Sequence, residues 1–146
     1  MFIARRIVIS ASEDIGNADP MAMVIAGSAL QAVHSVGLPE ARIILAQAVT
    51  YLACAPKSNA AYLAINAALR DIDLEDIGHV PNHLKNTKDS GYLYPHDFPE
   101  HYTAQQYLPD TLVDKIYYEP TELGYEATMK KQLAQGKRRS RKEVQK

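Results

Sequence analysis

Through the first half of the chain apolar residues recur at helical spacing and polar residues are confined to narrow stripes, a pattern that predicts four helices. The first covers about Phe2 to Ile15 and stops at Gly16. Asp19 is placed to cap the second, with Pro20 in its first turn and Gly37 at its end. Its polar stripe is Ser28, Gln31 and Ser35, with Gly27 and His34 beside them. Pro39-Glu40 opens a third helix that runs to about Cys54. Pro56 breaks the chain, Ser58 or Asn59 caps a fourth helix, and that helix ends near Ile72 with Asn59, Asn66, Arg70 and Asp73 on one stripe. Helices with so narrow a polar face are covered almost all round, by a large core or by other subunits. A chain of 146 residues folds as one domain with a sound core but has little core to spare around such helices, so the pattern points to assembly. The stretch GLPEARIILAQAVTYLACAPKSNAAY (37–62) makes the case most strongly. The residues expected at an oligomer interface are Met23, Leu30, His34, Ile44, Gln47, Tyr51, Tyr62 and Asn66.

Near residue 72 the pattern changes. Seventeen alanines lie in residues 1–72 and three in the remainder, whereas seven of the nine tyrosines fall between Tyr92 and Tyr125. Alanine favours helix; tyrosine brings a large apolar body with a polar tip. Pro81, Pro95, Pro99, Pro109 and Pro120 each disfavour a continuing helix. VPNHLKN (80–86) is read as a short turn of helix, and a last helix is expected from Thr121 to about Gln135. The segment GYLYPHDFPEHYTAQQYLPD (91–110) is read as a strap packed over the helices, with a peptide- or partner-binding surface as the competing reading. The expected fold is all-α, a compact bundle of about five helices with an irregular Tyr/Pro-rich strap. Residues 1–72 form its Ala-rich helical core, 73–136 the strap and last helix of the same domain, and 137–146 a basic, disordered tail.

The formal net charge of −1 conceals an uneven distribution. Residues 73–136 carry five basic and eleven acidic side chains, which argues against a broad nucleic-acid face on the body. Residues 137–146 carry six basic and one acidic. Lys137, Arg138, Arg139, Arg141 and Lys142 suit a phosphate backbone, without interleaved aromatics for base stacking; a solvated tail is the plain alternative. Cys54, the one cysteine, is expected as a small core residue of a reduced protein. The N-terminus MFIARRIVISASED has no signal-peptide core, and Met21 to Val36 is short for a membrane span, so a cytoplasmic protein is expected.

No catalytic constellation stands out. A phosphate-cradling Gly-rich loop ending in Gly-Lys-Ser/Thr is absent. Ala55-Pro56-Lys57-Ser58-Asn59 puts a Lys-Ser pair before a helix, where an anion could sit, but it lacks the glycines and is read as a capping turn. His79, His83, His96 and His101 cluster in sequence, yet without Cys pairs or a His-Glu-x-x-His helix they read as surface or hydrogen-bonding histidines rather than metal ligands. His96 with Asp97, and Glu13 with Asp14, have neither nucleophile nor oxyanion hole at recognisable spacing; the latter two are expected to pair with Arg5, Arg6 or another subunit. No cofactor or metal site is therefore assigned within the chain.

ARRIVISASEDIGNADP (4–20), residues 37–62 above, YPHDFPEHYTAQQYLPD (94–110) and YYEPTELGYE (117–126) together resemble the C-terminal region of the replication-associated recombination protein A family, also called MgsA or RarA. The family includes the Werner helicase-interacting protein, and the resemblance runs to about residue 130. It implies parents that are DNA-dependent AAA+ ATPases related to clamp loaders. These act at stalled replication forks in replication, recombination and repair, on single-stranded or forked DNA and with single-stranded-DNA-binding protein. It further implies that this region is a helical, clamp-loader-collar-like oligomerisation domain that forms homotetramers. ATP and Mg²⁺ would then bind upstream of residue 1, Met1 would stand at an internal position of the parent, and the location would be cytoplasmic and nucleoid-associated. A single-stranded nucleic-acid-binding module using the basic tail is the alternative. Two departures stand out: only TKDS (87–90) intervenes where members carry several more, often basic, residues, and the tail after Gly136 has no match.

Overall fold

The computed structural model describes residues 1–74, 76–85 and 91–143, the side chains of 74 and 137–143 excepted. Among them the regular structure is helical throughout, with five α-helices and no strand: α1 (Phe2–Ser10), α2 (Met21–Val36), α3 (Ala41–Cys54), α4 (Ala60–Leu74) and α5 (Glu126–Glu143). The all-α class expected from the periodicity is the observed one. The chain divides into two compact units, one of Met1–Asn66 with Tyr117–Lys131 and one of Ala67–Ile116 with Gln132–Lys146.

In the first unit α1, α2 and α3 pack against one another around Ile7, Ala11, Ile15, Ala22, Ala26, Ala29, Ala48 and Leu52. The expected boundaries rest on visible chemistry. Asp19 Oδ1 accepts the Met21 N–H at 3.1 Å, and Ser58 Oγ accepts the Ala60 N–H at 3.2 Å, each satisfying a donor at a helix start. The first helix, expected to reach Ile15, changes winding instead. After Ser10 it passes through a π-turn at Ala11–Ile15 and a 3₁₀ turn at Gly16–Ala18. Gly16, at φ 52°, is the one residue type that fits the end of that turn, because a Cβ there would lie 2.8 Å from the Ser58 carbonyl oxygen.

Tyr117–Lys131 returns to the same unit. Its anchor is the Tyr125 N–H donating to the Ala18 carbonyl at 2.8 Å, with Gly124 pressed against Ala18 and Pro56. This contact explains why the last helix starts at Glu126 rather than Thr121. Thr121 Oγ1 takes the Leu123 N–H in a local turn, and Gly124 is left-handed at φ 52°, so helix can begin only afterwards. At its other end α5 continues past the expected Gln135 to Glu143. Gly136 costs a helix only about 1 kcal/mol relative to alanine, and its Gln, Lys and Arg neighbours are good helix formers.

Among the described residues of the second unit are four short 3₁₀ turns, each closed by an N–H bonded to the carbonyl of a proline. Leu84 bonds to Pro81, Phe98 to Pro95, Tyr102 to Pro99 and Leu112 to Pro109. Proline's fixed φ starts such a turn, and its missing N–H is not needed there. Thr111 Oγ1 donating to Ile77 O at 2.7 Å and the Lys115–Asp71 ion pair at 3.1 Å tie the unit internally. The TKDS link (87–90) lies outside the described residues.

Candidate interaction surface

The core helices are built with their smallest apolar residues inward. On α2 the buried row is Ala22, Ala26, Ala29 and Val33, at i, i+4, i+7 and i+11; on α3 it is Ala41, Ala48 and Leu52. On α4 Ala60 is buried and Ala64 and Ala67 are half-buried. Larger side chains face out: Met21, Met23, Val24 and Val36 on α2, Ile43 and Val49 on α3, and Tyr62, Leu63, Ile65, Leu69 and Ile72 on α4. Exposures of 47% for Met23, 65% for Ile43 and 55% for Ile65 are those of surface residues, not of a core rim. Alanine rows let helix axes approach closely, and the bulk that would otherwise fill the core is displaced to the outside. Cys54 follows the same rule and corrects an expectation. It lies two residues, about 200° of helix, beyond buried Leu52, and is exposed rather than part of the core.

Of the residues expected at an interface, Met23, His34, Gln47 and Tyr62 are exposed, whereas Leu30, Ile44, Tyr51 and Asn66 are partly buried, Ile44 and Tyr51 against the core. Met23 is exposed on α2. Leu30 and His34 line one shallow depression with Met1, Gln31 and Ser35. Ile44 and Gln47 line another of about 300 Å³ between α2 and α3, with Val24 and Ile25. Tyr62 and Asn66 stand one turn apart on α4. Tyr51 does something else: its hydroxyl donates to Asp19 Oδ2 at 2.8 Å and fastens α3 to the start of α2. That hydrogen bond to the carboxylate, with burial and the like charge behind it, pushes the Tyr51 hydroxyl above its ordinary pKa. The side chains of Lys137, Arg138, Arg139, Arg141 and Lys142 lie outside those described.

Lys57 and Ser58 are both engaged as caps. Lys57 Nζ donates to the carbonyls of Leu52 at 2.8 Å, Ala53 at 3.3 Å and Ala55, closing the C-terminus of α3. Ser58 Oγ takes the Ala60 N–H and donates to Glu126 Oε2 at 2.7 Å. Beside them Ile3, Ile7, Val49 and Leu52 line an open groove of about 820 Å³, rimmed by Arg6 and Asp14. Asp14 is held by the Ser10 hydroxyl at 2.6 Å rather than by an arginine.

Among the described residues no three His, Cys, Asp or Glu side chains gather as a metal site would require. His83 Nε2 lies 2.7 Å from the Gln106 carbonyl, and the His96 ring packs between Tyr94 and His101, at centroid distances of 5.0 and 4.8 Å.

Sequence reasoning missed Glu126. Its side chain is wholly buried and accepts three hydrogen bonds: from the Ser58 hydroxyl, from Tyr118 at 2.8 Å and from the Thr121 N–H at 2.8 Å. Burial alone would raise its pKa, but the donors outweigh it and hold the carboxyl below its ordinary value. Tyr118 also accepts from Asn17 Nδ2 at 3.1 Å, so the cluster links the α1–α2 turn, the start of α4 and the start of α5. The only sequence signal was a Glu and a Tyr eight positions apart at a helix start; Ser58 is 68 positions away.

No described helix is long and apolar enough to cross a membrane. The family described as MgsA AAA+ ATPase C terminal matches residues 1–137. An uncharacterized AAA domain-containing protein of Mycobacterium tuberculosis is 49% identical over 86% of the chain and 30% of its own length. Replication-associated recombination protein A of Bacillus subtilis is 46% identical over 88% of the chain and 33% of its own length. The protein of that name in Escherichia coli K12 is 42% identical over 92% and 32%. The chain thus spans about a third of the length of these relatives. With both the family match and these identities extending over most of its residues, the chain belongs to the family of MgsA AAA+ ATPase C-terminal domains.

Proposed function

We propose that this chain is the self-association domain of a DNA-dependent AAA+ ATPase that acts at stalled forks in replication and recombination, and that it assembles as a homotetramer. ATP and Mg²⁺ act in the ATPase part of such a protein, and single-stranded or forked DNA and single-stranded-DNA-binding protein are its partners. The family and the names of the relatives support the parental class.

The observation that carries self-association is the apolar distribution: the buried rows of α2, α3 and α4 are mostly alanine, and Met21, Met23, Val24, Val36, Ile43, Val49, Tyr62, Leu63, Ile65, Leu69 and Ile72 are exposed on these three successive helices. Burying apolar surface gains about 25 cal/mol per Å², and each of these side chains, half exposed, leaves much of that gain unrealised in a single copy. Covering them with sister copies recovers it. A stable interface of this sort buries at least about 1,000 Å². Light scattering on the purified chain at tens of micromolar tests the reading: a mass several times 16.2 kDa supports it, and a monomer refutes it.

A further inference from the structure

The outward apolar residues of α4 have a spacing of their own. Tyr62, Ile65, Leu69 and Ile72 follow one another at intervals of three, four and three, the a/d seam of a helix that packs against another helix. They are 44%, 55%, 49% and 55% exposed, so one copy of the chain leaves the seam open along its length. Beside the seam, one edge carries Asn66 and Asp73, in register with Asn59 just before the helix, each seven positions from the next.

We infer that α4 pairs antiparallel with the α4 of a second copy, about a two-fold axis near Asn66 and Ala67. This rests on the self-association reading and names the surface that carries part of it. The stripe is self-complementary in that orientation. Tyr62 meets Ile72 of the second copy and Ile65 meets Leu69, so large and branched side chains alternate along the seam. On the flank Asn66 faces its own counterpart, amide to amide, and the Asn59 amide N–H faces the Asp73 carboxylate of the second copy. Asp73 lies in the last turn of α4, where a negative charge is unfavourable to its own helix, and antiparallel pairing sets it beside the positive N-terminal end of the other. Parallel pairing would place like against like: Asp73 near Asp73 and the two carboxyl ends of the helices together.

Sedimentation velocity on the whole chain over a concentration series tests this. Ile65→Glu with Leu69→Glu is expected to weaken association at least ~100-fold, because it buries two charges from each copy in the centre of the seam. Met23→Glu with Val24→Glu, on α2, is expected to leave an α4-paired dimer intact. Asp73→Lys alone is expected to weaken association ~10-fold, and adding Asn59→Asp to restore most of it, since the swapped pair attracts again. Positions 59 and 73 are roughly 21 Å apart along the helix, so rescue can occur only between copies. An associated wild type whose mass is unmoved by the seam substitutions, or whose charge swap shows no rescue, overturns this pairing and leaves self-association standing. A wild type that is monomeric at every concentration overturns both. Circular dichroism identifies a seam variant that fails to fold, in which case the charge swap decides.

Discussion

Glu126 shows how one residue holds distant parts of the first unit together. Replacing it with alanine strands the Ser58 and Tyr118 hydroxyls and the Thr121 N–H without an acceptor, at a cost of about 3 kcal/mol. Gln, which keeps one acceptor oxygen, should cost about half of that. Denaturant unfolding of both variants checks the order. Because the folded state binds the Glu126 proton less tightly than the unfolded chain does, its contribution is complete above the ordinary carboxylate pKa and fades as pH falls through the depressed folded value. Tyr118, raised first by burial and then by its bond to Glu126, and Tyr51, raised by Asp19, act at the alkaline end. Their contributions are complete below the ordinary phenol pKa and are lost as pH rises through the raised values. Melting temperature against pH should therefore show a plateau with an acid limb, and Glu126→Gln should flatten that limb. An unchanged acid limb in the Gln variant would assign it to other carboxylates. Gly124 gives a steric counterpart: a Cβ there would come within 2.0 Å of the Ala18 carbonyl oxygen at a left-handed φ. Gly124→Ala should lose about 3 kcal/mol by strain at a special backbone position, read from the shift in denaturation midpoint.

At the scale of elements, the helices most legible in the sequence were those whose ends carry their own chemistry. Asp19 and Ser58 announce α2 and α4 because a side-chain acceptor next to a helix start is a local event, visible within three residues. The winding change at Ala11–Ile15 was not legible, since a π-turn uses the same residues as an α-turn and is decided by what packs on it. The start of α5 was misplaced for a similar reason. Only the long-range bond from Tyr125 to Ala18 and the hub at Glu126 hold Thr121–Tyr125 out of the helix. Hydrophobicity alone places Cys54 in the core, whereas the alanine row fixes the inward direction of α3 and turns Cys54 outward. The residues expected at an interface follow from nearly all-apolar helices, but which side chains of α2 and α3 face out depends on that same alanine row. The continuation of α5 through Gly136 carries a direct test. A Cβ at Gly136 meets nothing within 4 Å, so Gly136→Ala should raise helix content and stabilise α5 by about 1 kcal/mol. Far-ultraviolet circular dichroism reads the first effect, and no gain in helicity would mean that α5 is not limited at that glycine.

For the whole molecule, the distribution of bulk matters more than its amount. Alanine-rich contacts among α1, α2 and α3, with Ile7, Ile15 and Leu52, fill the core of the first unit, and many of the larger aliphatic side chains of α2, α3 and α4 remain at the surface. Such an arrangement suits a chain that gains a large share of its stability from its own copies, so stability and mass should rise together with concentration. The melting temperature is accordingly expected to increase on concentrating the chain, and to do so less steeply in the Ile65→Glu, Leu69→Glu variant. Sedimentation equilibrium of the unmodified chain from micromolar to hundreds of micromolar tests the claim most directly. A weight-average mass that climbs to a plateau at four times 16.2 kDa is the predicted result; a mass that stays at 16.2 kDa throughout would contradict it.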